Sequence, residues 1–141
     1  MSVLTEPFFI TKKIYYHNTD AGGVVYYANY LLMLEEARTE FCRAYGIDTA
    51  EWLKKDIGFV VVHLQINYRR PAYYADIVRV YVKVKKIGNS SIHFIQDIYR
   101  DNTLLVDAEV IWATVTLSNF KTTKVPEEIR SRLVNKAEKA C

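Results

Sequence analysis

The chain has 141 residues, half of them hydrophobic and a quarter charged, and a net charge of +3. This length suits one domain, residues 1–141, with a core of its own, and the composition excludes disordered and fibrous classes. Residues 121–141 hold six basic against three acidic side chains and residues 1–120 balance at thirteen each, which excludes a domain-wide nucleic-acid footprint.

Residues 8–16, FFITKKIYY, read as a strand rich in aromatic and β-branched side chains. His17 to Gly23 is a loop by composition. Over 27–45, Tyr30, Leu34, Ala37, Phe41 and Ala44 recur at steps of 4, 3, 4 and 3, the stripe of a helix with one buried face. Gly46 supplies a left-handed cap, and Asp48-Thr49-Ala50-Glu51 has the pattern of a capping box opening a short second helix.

After Gly58 the chain turns to strands. Residues 59–69 form the first, ended by Pro71. Over 77–86 Val78, Val80, Val82 and Val84 alternate with Arg79, Tyr81, Lys83 and Lys85, giving one buried and one basic face. Residues 87–90 read as a turn and 91–100 as a strand. Asp101-Asn102 is a tight-hairpin signal, and 104–118 is a long strand. A terminal helix over about 126–138 opens with Pro126, Glu127 and Glu128. Short turns between consecutive strands mean an antiparallel sheet with the long helix on one face, an α+β fold with its core over about 8–120.

The two cysteines, Cys42 and Cys141, make no disulfide framework. No signal-peptide pattern and no membrane-length apolar run is present. A cytoplasmic protein is expected, with no membrane span.

Two features carry chemistry. Residues 69–86 hold Arg69, Arg70, Arg79, Lys83, Lys85 and Lys86 against Asp76 alone; this is either a solvated strand face or a strip that meets a small anion such as a phosphate. The second is Tyr15 to Tyr30, holding five of the eleven tyrosines. It places Asp20 and the pair Gly22-Gly23 just before the long helix. Glycines admit close approach of a ligand, the open amides of a helix start hold an oxyanion, and a carboxylate there acts as general base or as nucleophile toward an acyl group. The competing reading makes Asp20 a turn cap. His63 and His93 lack metal-ligand spacing, so no metal site is expected, and no serine lies in a nucleophile elbow. Tyr73 and Tyr74, in a bend after Pro71, close the core or, alternatively, form a lid.

The segment Tyr15-Tyr16-x-x-Thr19-Asp20-Ala21-Gly22-Gly23-Val24-Val25-Tyr26, followed by Glu35-x-Ala37-Arg38-Thr39-Glu40 in the helix, resembles the signature of the 4-hydroxybenzoyl-CoA thioesterase family of hotdog proteins. It is most similar to the YbgC-type acyl-CoA thioesterases. A weaker likeness runs through Phe59-Val60-Val61, Pro71-Ala72 and Asn102 to Val110, so that the resemblance spans about residues 8–130. It implies a hotdog fold, a five-stranded antiparallel sheet wrapped around one long central helix, and hydrolysis of an acyl-CoA to a carboxylic acid and CoA. The alternative is a hotdog module that binds acyl-CoA or acyl carrier protein without turnover.

By position, the resemblance makes Asp20 the catalytic carboxylate. Tyr27 becomes the helix-start residue whose backbone N–H polarises the carbonyl, and Tyr16 a residue bordering the site. Many YbgC-type members have His where this chain has Tyr27; a backbone donor survives that change and an imidazole role does not. Gly23 and Val61 lie in the matched segments and are expected to line the substrate. Arg69, Arg70, Lys85 and Lys86 are candidates for the CoA phosphates, and Ser90 and Ser91 for the pantetheine arm. Glu36 is a reserve acid, otherwise a surface residue. No cofactor is expected beyond the CoA of the substrate, and the resemblance implies homodimers with sites at the subunit interface, often paired into tetramers.

Overall fold

The computed structural model of the chain describes residues 7–140; residues 1–6 and Cys141 lie outside it. Strand β1 runs Phe8–Lys13, helix α1 Tyr27–Ala44 and helix α2 Thr49–Leu53. Strands β2 (Ile57–Tyr68), β3 (Ile77–Ile87), β4 (Ser91–Arg100) and β5 (Thr103–Thr116) follow, then the short β6 (Lys121–Thr122) and helix α3 (Glu127–Ala140). Every pairing is antiparallel, in the order β1-β3-β4-β5-β2, with β6 attached to β5. The hotdog arrangement is therefore present, with β6 added to the five expected strands.

The alternation expected in β3 is borne out: Val78, Val80, Val82 and Val84 are buried, and Arg79, Lys83 and Lys85 are exposed. In β4 the same rhythm buries Ile92, Phe94, Gln96 and Ile98. The buried face packs on α1, where Tyr30, Leu34, Ala37 and Phe41 form the expected stripe, joined by Met33, Arg38 and Cys42. Breaks in register at Val61/His63, Val84/Lys86 and Ile98/Tyr99 add local bends that help the sheet curl around the helix. Helix α3 covers another part of the same core with Val125 just before it and Ile129 and Leu133 within it.

Some boundaries differ from expectation. Strand β1 stops at Lys13, because Ile14 turns its N–H and C=O to Asp76 and Ala75 in a loop, and Tyr16–Asn18 forms a 3-10 turn. The α1 stripe ends at Tyr45, and Ala44 is exposed: the chain leaves the helix there, Ile47 N donates to Cys42 O at 2.8 Å, and Gly46 takes φ 78°. Only half of the capping box forms; Asp48 accepts from Ala50 N, while Glu51 reaches Lys54 instead. Asp101, at φ 52°, makes the expected tight turn between β4 and β5.

Among the described residues one cation, Arg38, is buried in the core. Arg38 is 5% exposed, donates from Nη1 to Gln96 Oε1 at 3.0 Å and lies over the Trp112 ring. Gln96 in turn donates to the Leu34 carbonyl at 2.9 Å. Burial pulls the Arg38 guanidinium down to about 10, and its Nε has no partner among the described residues. Because a buried polar group stripped of its partner bears its full desolvation cost, Gln96→Ala is expected to destabilise the fold by about 2–4 kcal/mol. The double replacement Arg38→Met with Gln96→Leu should recover most of that loss in urea titrations.

Candidate active site

Asp20 stands in a small antiparallel turn. Thr19 and Val25 face each other across it, Asp20 N donates to Val24 O at 2.9 Å, and Gly23 N returns to Asp20 O at 3.0 Å. The carboxylate accepts from Gly22 N at 2.8 Å through Oδ1, and no hydrogen bond to its second oxygen occurs among the described residues. Gly23 has φ 81°, a conformation open to glycine and costly for other residues. A Cβ at Gly22 would lie 3.2 Å from Asp20 Oδ1, so the missing side chain keeps the carboxylate uncrowded.

The same turn delivers the start of α1. Tyr26 N donates to Asn18 O at 3.0 Å, and Asn29 Nδ2 donates to the same carbonyl at 2.8 Å. Tyr26 precedes the helix in extended backbone and offers no side-chain cap. The Tyr27 and Ala28 N–H groups, in the first turn, therefore have no intrahelical acceptor, and no other acceptor for them occurs among the described residues. Donors carrying the positive end of the helix dipole thus lie one short turn from an exposed carboxylate.

Tyrosines surround this pair. Tyr26 and Tyr27 pack at 4.8 Å, Tyr27 meets Tyr68 at 6.3 Å, and Tyr16 packs on Tyr74 at 5.2 Å. Hydrogen bonding to the Tyr27 side chain, with a smaller push from the Asp20 charge, raises the Tyr26 phenol above its usual range. Tyr30 is buried, and its hydroxyl accepts from Ala72 N at 3.0 Å. Tyr73 and Tyr74 do not close the core as one reading expected; both are exposed, and Ala72 between Pro71 and Tyr73 is the buried residue. Tyr68 was not foreseen. Its hydroxyl donates to the Tyr27 carbonyl at 3.4 Å, and burial raises its phenol above the usual range, with Tyr27 adding to the effect.

Beside Tyr68 an open polar pocket of about 950 Å³ is lined by Asn67, Arg69, Arg70, Arg100, Asn102 and Thr103 among others. Arg69 pairs with Asp107, which also accepts from Asn67, and these contacts hold the Asp107 carboxyl below the usual range. The Arg70 side chain makes no ion pair or hydrogen bond among the described residues.

The basic residues of 69–86 do not form one strip. Lys85 and Lys86 lie near the other end of the sheet with Ser90 and Ser91, since Lys86 faces His93 while Arg79 faces Tyr99. From Val106, opposite Tyr68, to Ala113, opposite Ser91, the separation is roughly 23 Å at about 3.3 Å per residue. Lys85 pairs with Glu109, and the Ser91 hydroxyl is 3.1 Å from His93 Nε2. Val61 sits at the β2 bulge, half exposed. Glu36 is a surface residue bonded to Lys12 at 2.7 Å. No cluster of three or more metal-ligating side chains occurs among the described residues.

The curled sheet around α1 and the carboxylate turn at its open end define a hotdog protein of the thioesterase class. A sequence model of the thioesterase-like superfamily matches residues 16–133. The chain is 35% identical over 130 residues to the acyl-CoA thioesterase YbgC of Haemophilus influenzae, covering 92% of this chain and 96% of that one. It is 34% identical over 118 residues to the acyl-CoA thioester hydrolase YbgC of Escherichia coli O6:H1, 83% and 88% of the two chains. A crystal structure of a hypothetical protein from Aquifex aeolicus superposes with a TM-score of 0.85 at 24% identity, covering 90% of this chain and 99% of that one. The chain belongs to the thioesterase-like superfamily, and within it to the YbgC-type hotdog proteins.

Placing a Cβ at the left-handed Gly23 position costs about 1–2 kcal/mol. Gly23→Ala should lower the urea midpoint accordingly, whereas Ala21→Gly, in the same turn, should change it much less.

Proposed function

We propose that this protein hydrolyses acyl-CoA thioesters to a carboxylic acid and free CoA. The observation that carries the reading is the exposed Asp20 carboxylate held beside an open first helical turn. In one form of the step, Asp20 takes a proton from water as the oxygen attacks the acyl carbon. In the other, its free oxygen attacks directly, and water then cleaves the resulting anhydride. Both pass through an oxyanion that the backbone N–H of Tyr27 stabilises, so the absence of an imidazole at this position removes nothing essential. Either way the C–S bond breaks, and the CoA thiolate leaves and takes up a proton. A thioester is already activated, so the reaction as written needs water and no cofactor. Gly23 leaves room for the acyl group, and Tyr16 borders it.

Arg69 and Arg70, in the polar pocket beside Tyr68, are assigned to the CoA phosphates. Lys85, Lys86, Ser90 and Ser91 are too far along the strands to serve the Asp20 of their own chain. They reach a site if two chains pair antiparallel through β2. This edge strand is 12 residues long, with Val61 49% and Val62 59% exposed, an edge that invites a partner strand. A two-fold pairing sets the start of one β2 beside the end of the other, which brings these four residues of one subunit toward Asp20 of its partner, with Val61 near the seam. A homodimer, alone or paired into a tetramer, is therefore the proposed working unit. No helix among the described residues is long and apolar enough to cross a membrane, and the cytoplasm, where acyl-CoA is made, is the proposed location. Acyl carrier protein, which presents the same pantetheine thioester, is the alternative donor.

Asp20→Asn should keep the fold and lose about a hundredfold or more in turnover, read as free thiol released from a panel of acyl-CoAs. Turnover like that of the parent would remove Asp20 from the mechanism. Arg70→Glu should raise KM for acyl-CoA several-fold, and more at low salt, while leaving hydrolysis of a phosphate-free acyl-N-acetylcysteamine unchanged.

A further inference from the structure

The turn that holds Asp20 is not secured by its own hydrogen bonds alone. On one side it lies against the loop of residues 71–76: Val24 bridges Tyr73, and Val25 N donates to Ala72 O at 2.9 Å. That loop is itself drawn tight at both ends by one side chain. Arg100 donates from Nη1 to the Asp76 carboxylate at 2.7 Å and to the Pro71 carbonyl at 3.2 Å, and lies over the Tyr73 ring. Asp76 also accepts from Tyr73 N at 2.8 Å. Both members of the ion pair are shielded, with 27% and 21% of their side chains exposed. Within the loop Ala75 adopts φ 72°, a left-handed conformation unfavourable for a residue with a Cβ. A strained loop clasped at its two ends is one whose shape depends on the clasp.

We infer that Arg100 is a positioning residue for Asp20, acting through Asp76 and the 71–76 loop. Arg100 does not touch the reacting atoms. It fixes the wall against which the Asp20 turn is built, and so the distance from the carboxylate to the open amides of α1. This inference rests on the thioesterase reading for its kinetic arm only. Because Arg100 also lines the polar pocket, a phosphate contact is the rival role, and Asp76 separates the two: an acid does not bind phosphate.

The test uses Arg100→Gln, Asp76→Asn and the double variant of the full chain, assayed on acyl-CoA and on the acyl-N-acetylcysteamine, which has no phosphates. Misplacing a catalytic group by about an ångström costs up to about a hundredfold. Each single variant should therefore lose about ten- to a hundredfold in kcat on both substrates, with KM for the short thioester unchanged. The double variant should be no worse than the worse single one, as expected of residues acting as one unit. Amide hydrogen exchange at Val25 should quicken in both variants while exchange in the β4–β5 ladder stays slow. A rise in KM confined to acyl-CoA in Arg100→Gln, with Asp76→Asn unaffected, would overturn the inference. Uniformly faster exchange across the sheet would also overturn it, by showing loss of global stability instead. Should Arg100→Gln fail to fold, Arg100→Lys keeps the charge opposite Asp76 but not the planar guanidinium over Tyr73, and an intermediate loss of kcat is then expected, with parental kcat overturning the inference. If the parent protein hydrolyses no thioester, the functional reading fails by itself. The exchange at Val25 still decides the clasp, and parental exchange rates in Asp76→Asn would sink it.

Discussion

One helix has to be buried along its length and open at its beginning. The sheet curls around α1 so that Tyr30, Leu34, Ala37 and Phe41 are lost to solvent, yet Tyr27 and Ala28, one turn earlier, keep their amides free. Both conditions are met because the polypeptide enters the helix from a turn, not from a strand. The turn satisfies its own backbone groups with Asn18, Val24 and Ala72, and none of those carbonyls accepts from the Tyr27 or Ala28 amide. A strong side-chain cap at the position of Tyr26 would stabilise the helix and close the donors. Its absence is a small cost in stability that leaves the chemistry room.

Electrostatics follows the same division. Several cations on and beside the sheet are committed: Arg69 to Asp107, Lys85 to Glu109 and Arg100 to Asp76. The first two pairs, exposed or half-exposed, order the surface more than they stabilise it. Deep in the core the hydrogen-bonding side chain that Arg38 meets among the described residues is the neutral Gln96, with the Trp112 ring beneath it. Cys42, one turn further along α1, has its thiol pushed up to about 12 by burial, which keeps it protonated and inert. The exposed carboxylate of Asp20 is of a different kind from these buried groups, since solvent and substrate reach it without any rearrangement of the core.

Much of this was legible in the sequence wherever the information was local. The alternation of Val78 to Val84, the stripe of α1, the turn at Asp101-Asn102 and the left-handed cap at Gly46 each depend on a few neighbouring residues, and each is present. The Tyr15–Tyr26 motif identified the Asp20 turn through a resemblance, and the helix start fell where it was expected. What was not legible depends on register. Arg69 and Lys85 share a basic segment of sequence, but β2 and β3 are not neighbours in the sheet and the residues between them turn back, so the two cations stand far apart. Ala44 fits the helical period and still misses the core, because the helix ends before its last step is covered. Arg100 adjoins a recognisable turn, and nothing in that neighbourhood announces Asp76, Pro71 or Tyr73 as its partners. Tyr73 and Tyr74 look like core by composition, yet the small Ala72 is what fits beneath Tyr30.

The clasp at Arg100 also says when in folding the site comes into being. Helix α1 and the turn before it are complete early in the chain, but the wall they lean on is closed by a residue at the end of β4, after β3 has found both β1 and β4. The β3–β4 pairing is a local hairpin, whereas β1–β3 joins segments far apart in sequence, and non-local pairings are the slow ones. A nascent chain emerging from the ribosome therefore carries every atom of the carboxylate turn long before it carries a site. The 71–76 loop can be clasped only once β4 has brought Arg100 to Asp76 and Pro71.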